Sequence, residues 1–142
     1  MTTPETLPYD PGRVPVLRRW SVRALSWGGG ALAAQSPQRV ARVLSAVSRG
    51  ARPATVAEAA RARLTLERVS LPCAGREGCL RRSITVALLC RLRGCWPTWH
   101  VGVRKVPPLA AHAWVEAEGV PVGENVSADY FRPLLSVPPA AR

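Results

Sequence analysis

Hydrophobic residues in the first half of the chain recur at spacings of three and four, which is the pattern of amphipathic helices. The second and third runs follow residues that cap helices, Ser36 and Thr55, and Glu58 lies at the spacing of a capping box from Thr55. Glycines follow the first two runs and indicate where the helices end. The predicted helices run from Val16 to the glycines at 28–30, from Ser36 to Gly50, and from Thr55 to about Val69.

The second half of the chain has a different pattern. A turn-rich loop from Ser70 to Gly78 leads into a helix from Cys79 to Gly94, whose apolar residues from Leu80 to Leu92 predict burial. Beyond this helix, apolar and polar residues alternate, as they do in strands with one buried face. The predicted strands are Trp99–Arg104, Ala111–Glu118 and Val120–Gly123, of which the last two form a hairpin that turns at Glu118 and Gly119.

The order of these elements predicts an α+β fold, in which a helical N-terminal half packs on a small antiparallel sheet. The length of 142 residues is usual for one domain, so we predict a single domain over 1–142. Its parts are a proline-rich tail at 1–15, a helical part at 16–69 and a core at 70–135 that carries the candidate chemistry. With 47% hydrophobic and 20% charged residues, the composition excludes a chain that is disordered throughout.

The net charge of +11 comes almost entirely from arginine, because Lys105 is the only lysine among the 20 basic residues. The arginines are spread from Arg13 to Arg142 and accompany no nucleic-acid motif, so we predict a solvated basic surface and no nucleic-acid partner. The segment before Trp20 lacks the layout of a secretory signal, and no apolar run approaches the roughly 20 residues that cross a bilayer. These features predict a cytoplasmic protein with reduced thiols and no membrane span.

Of the four cysteines, Cys79 has the position best suited to chemistry. It begins the predicted fourth helix, where backbone N–H groups, the helix dipole and two nearby arginines favour the thiolate. The alternative is a small apolar residue at a helix start. Cys90 is predicted to lie in the core, and Cys73 and Cys95 in or beside loops. The cysteines lack the C-x2-C pairs of structural zinc sites, so no metal is predicted.

A thiol hydrolase also needs an imidazole that removes the thiol proton and a third group that orients the imidazole. His112 shares one face of its predicted strand with Trp114 and Glu116, which suits the wall of a cleft. Glu124 lies just past the return strand of the hairpin, from where its carboxylate can reach His112, and Glu116 is the competing orienting residue. For His112, His100 and Glu124 the alternatives are two structural histidines and a solvated acid.

These motifs, in this order, resemble those of the lasso peptide maturation proteases. That family comprises transglutaminase-like cysteine peptidases, which remove the leader from a ribosomally made lasso precursor peptide. The resemblance covers roughly residues 53–124. It rests on Cys73–Leu80 (CAGREGCL), Arg81–Gly94 (RRSITVALLCRLRG), Trp96–Arg104 (WPTWHVGVR), Ala111–Ala117 (AHAWVEA) and Gly119–Glu124 (GVPVGE).

The resemblance implies a transglutaminase-like, papain-like peptidase core with a Cys-His-acid triad. In that triad Cys79 is the nucleophile, His112 is the general base and then the general acid, and Glu124 orients His112. The family's acid is often an aspartate, which is one methylene shorter than Glu124. Backbone N–H groups at the start of the helix around Cys79 are the predicted oxyanion donors.

The resemblance also implies partners. The chain is predicted to be the peptidase half of a split enzyme that acts on the lasso precursor peptide with a separate leader-recognition protein and an ATP-dependent lasso cyclase. No nucleotide-binding loop occurs in the sequence, and no cofactor is predicted. Two other functions stay open: a non-catalytic scaffold that presents the precursor to the cyclase, and an acyltransferase that uses the same triad. A candidate docking face for the partner is formed by Arg18, Arg19, Trp20, Arg23 and Trp27.

Overall fold

The computed structural model describes residues 15–69, 78–124, 126 and 128–140. The predicted loop from Ser70 to Gly78, including Cys73, lies almost wholly outside the described residues, as does most of the predicted tail at 1–15. The helices are α1 (Val16–Ala33), α2 (Pro37–Val47), α3 (Val56–Val69) and α4 (Cys79–Leu92), with a 3₁₀ turn at Ala128–Tyr130. The strands are β1 (Arg52–Pro53), β2 (Cys95–Trp96), β3 (Thr98–Arg104), β4 (Ala111–Ala117), β5 (Val120–Pro121) and β6 (Phe131–Val137).

The predicted starts of the second and third helices are confirmed by their caps. Ser36 Oγ accepts a hydrogen bond from the backbone N–H of Arg39 at 3.4 Å. At α3, Thr55 Oγ1 accepts from the N–H of Glu58 at 3.2 Å, and Glu58 Oε1 accepts from the N–H of Thr55 at 3.4 Å. This reciprocal pair is the capping box that the sequence predicts.

The first helix does not end at its three glycines, and the prediction that it does is wrong. α1 continues through them to Ala33, with Gly29 buried against α4. A Cβ on Gly29 would lie 2.5 Å from Thr85 Oγ1, so the missing side chain allows the two helices to approach closely. Arg81 Nε of α4 donates to the carbonyl of Ser26 at 2.8 Å across the same contact. This packing offsets the cost of glycine in a helix, which is about 1 kcal/mol per residue.

The main sheet is antiparallel and has the strand order β5-β4-β3-β6. The predicted α+β class and the hairpin between β4 and β5 are therefore confirmed. Strand β6 was not predicted, and it extends to Val137, past the predicted end of the core at 135. Pro133 disguises this strand in the sequence, but β6 is an edge strand, where proline is tolerated, and its register with β3 shifts between Val101 and Gly102. The short parallel pair of β1 and β2 was also not predicted.

The core lies between the helices and one face of the sheet, and α4 contacts α1, α3 and strands β2, β3 and β4. Trp96 and Trp99 are fully buried, and their indole N–H groups donate to the carbonyl of Val137 at 3.1 Å and to Ser83 Oγ at 3.0 Å. Burial of α4 ends earlier than predicted, because Leu92 is 67% exposed. Among the described residues, no helix is both long and apolar enough to cross a membrane.

Candidate active site

The face of the sheet that points away from the core carries a row of stacked rings, here called the aromatic face: His100, Trp114, His112 and Phe131. Strand pairing places His100 of β3 opposite Trp114 of β4, and the alternation of β4 puts His112 on the same face as Trp114. The ring of His112 stacks on Phe131 with centroids 4.7 Å apart and on Trp114 at 5.9 Å. These contacts restrict the orientation of the imidazole.

Cys79 is the first residue of α4, and the structure brings its thiol to His112. The side chain of His112 and the backbone N–H of Ala113 both stabilise the thiolate form of Cys79. The hydrogen bond with His112 is the main cause that lowers the pKa of the Cys79 thiol, while partial burial acts in the opposite direction. Gly78, the N-cap residue, provides no side-chain acceptor for the first backbone N–H groups of α4. A thiolate at this place also lies at the positive end of the helix.

Glu124 meets the other side of the imidazole. The turn at Glu118 and Gly119, both with positive φ, reverses the chain after β4, and Glu124 follows β5 back toward His112. Glu124 Oε1 lies 3.1 Å from His112 Nε2, and the two side chains are only 15% and 19% exposed. Because Nε2 faces the carboxylate, Nδ1 is the ring nitrogen left for Cys79. The structure thus connects the three residues singled out in the sequence.

Arg63 of α3 supports Glu124, and nothing in the sequence distinguished it from the other arginines. Its Nη1 donates to the carbonyl of Val122 at 2.9 Å and lies 3.6 Å from Glu124 Oε1, while its Nε pairs with Glu67 at 2.9 Å. Gly123 is required here, because a Cβ on it would collide with the Arg63 guanidinium and its φ is +72°. Arg63 therefore fixes both the backbone and the carboxylate of the segment that carries Glu124.

The charges at the site favour a thiolate and imidazolium pair. The hydrogen bond with Cys79, followed by the one with Glu124, raises the pKa of His112 to about 9. Burial alone would raise the pKa of Glu124, but the hydrogen bond with His112 and the positive charges of His112, Arg63 and Arg82 bring it below its ordinary value. At neutral pH the arrangement therefore holds a positive imidazole between two groups whose pKa values are both lowered.

Glu116 does not contact His112; it lies with the second histidine. Glu116 Oε1 accepts a hydrogen bond from Trp114 Nε1 at 3.1 Å, and Oε2 lies 3.3 Å from His100 Nε2. His100 Nδ1 lies 2.6 Å from Ser136 Oγ on β6. Burial lowers the pKa of His100, and Glu116 opposes this effect. Of the two candidate orienting carboxylates, only Glu124 reaches His112.

A cleft of about 840 Å³ opens beside His112. It is bordered by the end of β3, the start of β4, the segment after β5 and the start of β6. Its wall includes Arg104, Ala111, His112, Glu124, Tyr130 and Phe131. The cleft has room for several residues of an extended peptide next to the imidazole.

The other cysteines that the structure describes lie away from this cleft. Cys90 is buried in α4, as predicted, and its pKa is raised by burial. Cys95 begins β2, is fully buried, and donates its thiol hydrogen to the carbonyl of Cys90 at 3.3 Å. Both are free thiols, as is Cys79. Within the described parts of the chain, no group of three or more histidine, cysteine, aspartate or glutamate residues could hold a metal ion.

The α+β fold, together with the thiol, imidazole and carboxylate of the site, indicates one class of protein. Comparison of the sequence with known families identifies that class. The sequence profile of the transglutaminase-like superfamily matches residues 30–136. This match spans most of the chain, so the chain belongs to the transglutaminase-like superfamily, whose fold is typical of cysteine peptidases and acyltransferases. Neither the curated proteins nor the solved structures contain a match to the chain.

Proposed function

We propose that the chain is a cysteine peptidase that removes the leader peptide from a lasso precursor peptide. The observation that carries the proposal is that the imidazole of His112 interacts with both Cys79 and Glu124 in a transglutaminase-like chain. The resemblance of the motifs from Cys73 to Glu124 to the lasso peptide maturation proteases supplies the substrate.

In the proposed reaction, the Cys79 thiolate attacks the carbonyl carbon at the end of the leader. Backbone N–H groups at the start of α4, which Gly78 leaves without a side-chain cap, stabilise the oxyanion. His112 then donates its proton to the departing amine, and the C–N bond breaks to leave the leader as a thioester on Cys79. A water molecule gives its proton to His112 and attacks the thioester, which releases the leader as an acid and restores the thiolate.

The proposal includes partners and a place of action. The chain acts as one domain in the cytoplasm, together with a separate leader-recognition protein and the lasso cyclase, and uses no cofactor of its own. The basic first helix supports a docking role, because Trp20 and Trp27 are 65% and 75% exposed and α1 contains no acidic residue. This face complements an acidic leader or partner.

An acyltransferase is the second candidate, because the superfamily's fold also serves acyl transfer and the thioester on Cys79 is common to both reactions. The two reactions differ only in the acceptor, which is water for the peptidase and an amine for the transferase. The mass of the released leader distinguishes them, since hydrolysis yields a new acid and transfer yields a new amide.

The test is cleavage of a co-expressed precursor, followed by mass spectrometry. Cys79→Ala and His112→Ala should each abolish leader removal while the protein stays folded, because thiolate formation and proton transfer fail. Cys90→Ala and His100→Ala are matched controls, since neither residue belongs to the set of Cys79, His112 and Glu124. These two substitutions should affect mainly stability. Turnover that persists in Cys79→Ala would overturn the assignment and favour the scaffold. Equal loss in a Cys90→Ala variant that stays folded would overturn Cys79 as the nucleophile.

A further inference from the structure

Arg104 lies at the end of β3, on the same side of the sheet as His112, and lines the cleft beside it. Its guanidinium is held by Tyr130, whose hydroxyl oxygen accepts from Nη2 at 2.7 Å and from Nε at 3.2 Å. The guanidinium carbon also lies 5.5 Å from the centre of the Tyr130 ring. Arg104 is therefore half-buried and fixed in direction before any ligand arrives.

The group that holds Arg104, the hydroxyl of Tyr130, is neutral. A phenol hydroxyl does not balance a guanidinium charge, and in the described part of the chain no carboxylate lies within ion-pair distance of Arg104. This contrasts with Arg52 and Arg63, each of which pairs with a glutamate. Among the described residues, none accepts a hydrogen bond from the Nη1 group of Arg104.

The remaining charges around the cleft do not cancel that of Arg104. Glu124, the one carboxylate among its described lining residues, is already engaged with His112 and Arg63. A fixed guanidinium matches the two oxygens of a carboxylate and discriminates against an amide or an ammonium. The net charge of +11 on the chain adds a general attraction for acidic peptides.

We propose that Arg104 forms a subsite for an acidic side chain of the peptide that occupies the cleft beside His112. Tyr130 is its positioning residue, because it aims the guanidinium without neutralising it. The inference rests on the proposed function only in that Cys79 must attack a peptide bound in this cleft. It adds a preference for aspartate or glutamate at one position near the scissile bond.

The subsite can be tested without a lasso precursor by covalent labelling of Cys79. The probes are acetylated tetrapeptide chloromethyl ketones that are identical except for one position, which carries glutamate, glutamine or lysine in turn at each of the four sites. The rate of Cys79 labelling is followed by intact-protein mass spectrometry, and the modified residue is located by peptide mapping. In the unmodified protein, glutamate at one position should label about tenfold faster than glutamine, and lysine should be slowest.

Variants assign the preference to the arginine. Arg104→Gln should remove the preference for glutamate over glutamine, and Tyr130→Phe should reduce the preference in part. Arg132→Gln is the matched control, because Arg132 is an exposed arginine on β6 that does not line the cleft, and it should leave the preference intact. Equal rates with glutamate and glutamine at every position, or a preference that survives Arg104→Gln, would overturn the subsite while leaving Cys79 as nucleophile. Failure of every probe to label Cys79 would overturn both.

Discussion

Replacing Glu124 with glutamine should narrow the pH range of cleavage, mainly at its alkaline end. Glu124 Oε1 lies 3.1 Å from His112 Nε2, and after the hydrogen bond with Cys79 this contact contributes most to raising the pKa of His112 to about 9. Glutamine keeps an acceptor oxygen and nearly the same shape but removes the charge. The change therefore isolates the electrostatic part of the contact.

The expected size follows from the surroundings of the pair. A nearby opposite charge shifts a pKa by about one to three units. The side chains of Glu124 and His112 are 15% and 19% exposed, so water screens them weakly, but Arg63, 3.6 Å from the carboxylate, already shares its charge. We therefore take the lower end of the range and expect the pKa of His112 to fall from about 9 to about 8. This equals about 1.4 kcal/mol less stabilisation of the imidazolium.

The sign follows from the form of His112 that the reaction uses. The imidazolium donates the proton to the leaving amine and is lost as the pH rises through the pKa of His112, so the alkaline limb of kcat/KM should move from about pH 9 to about pH 8. At the acid end, the imidazolium of His112 is less stabilised and therefore lowers the pKa of Cys79 less. The acid limb of the profile then moves toward higher pH. The two measurements are the pH profile of kcat/KM and an NMR titration of the His112 ring.

Glu116→Gln is the matched control, because it makes the same chemical change on the same face of the sheet. Glu116 contacts Trp114 and His100, so its substitution should leave the pKa of His112 near 9. An unchanged alkaline limb and NMR titration in Glu124→Gln, or an equal shift in Glu116→Gln, would refute the assignment of Glu124 as the orienting acid.

Two further predictions concern packing and partnership. Gly29→Ala should lower the free energy of unfolding by about 1 to 3 kcal/mol in chemical denaturation, because the new methyl group meets Thr85 Oγ1 at 2.5 Å. Gly28→Ala, whose methyl group meets nothing within 4 Å, should instead stabilise α1 by up to about 1 kcal/mol, and equal effects would contradict this account of the helix contact. Steady-state kinetics should find slow cleavage of the precursor by the isolated chain and faster cleavage with the leader-recognition protein, which raises the local concentration of the scissile bond to about millimolar. Full turnover by the isolated chain, unchanged when the leader-recognition protein is added, would show that the chain itself recognises the leader.

Much of the local structure could be predicted from the sequence, because it depends on neighbours in the chain. The capping box of Thr55 and Glu58 involves residues one turn apart, and the alternation that puts His112 on one face of β4 needs only the geometry of a strand. The sequence also showed the order of Cys79, His112 and the following carboxylate. The turn before β5 could be predicted because it, too, depends on neighbouring residues.

The tertiary structure decided everything that depends on contacts between distant segments. α1 passes through its glycines because Gly29 packs on Thr85 of α4, a gain that no local pattern contains. Pro133 is accommodated in β6 because that strand lies at the sheet edge and its register with β3 shifts between Val101 and Gly102. Glu124 rather than Glu116 reaches His112, since Glu116 is held by Trp114 on its own strand while the chain after β5 returns beside the imidazole.

The supporting arginines follow the same rule. In the sequence, Arg63 and Arg104 cannot be distinguished from the other arginines. Their roles depend on contacts with residues far away in the chain: Arg63 contacts Val122 and Glu124, and Arg104 contacts Tyr130. The sequence by itself determined which residue types were present for the chemistry and on which local elements they lie. The packing of α3 and α4 on the sheet decided which of these side chains contact each other. Their ion pairs and hydrogen bonds join segments that are distant in the sequence.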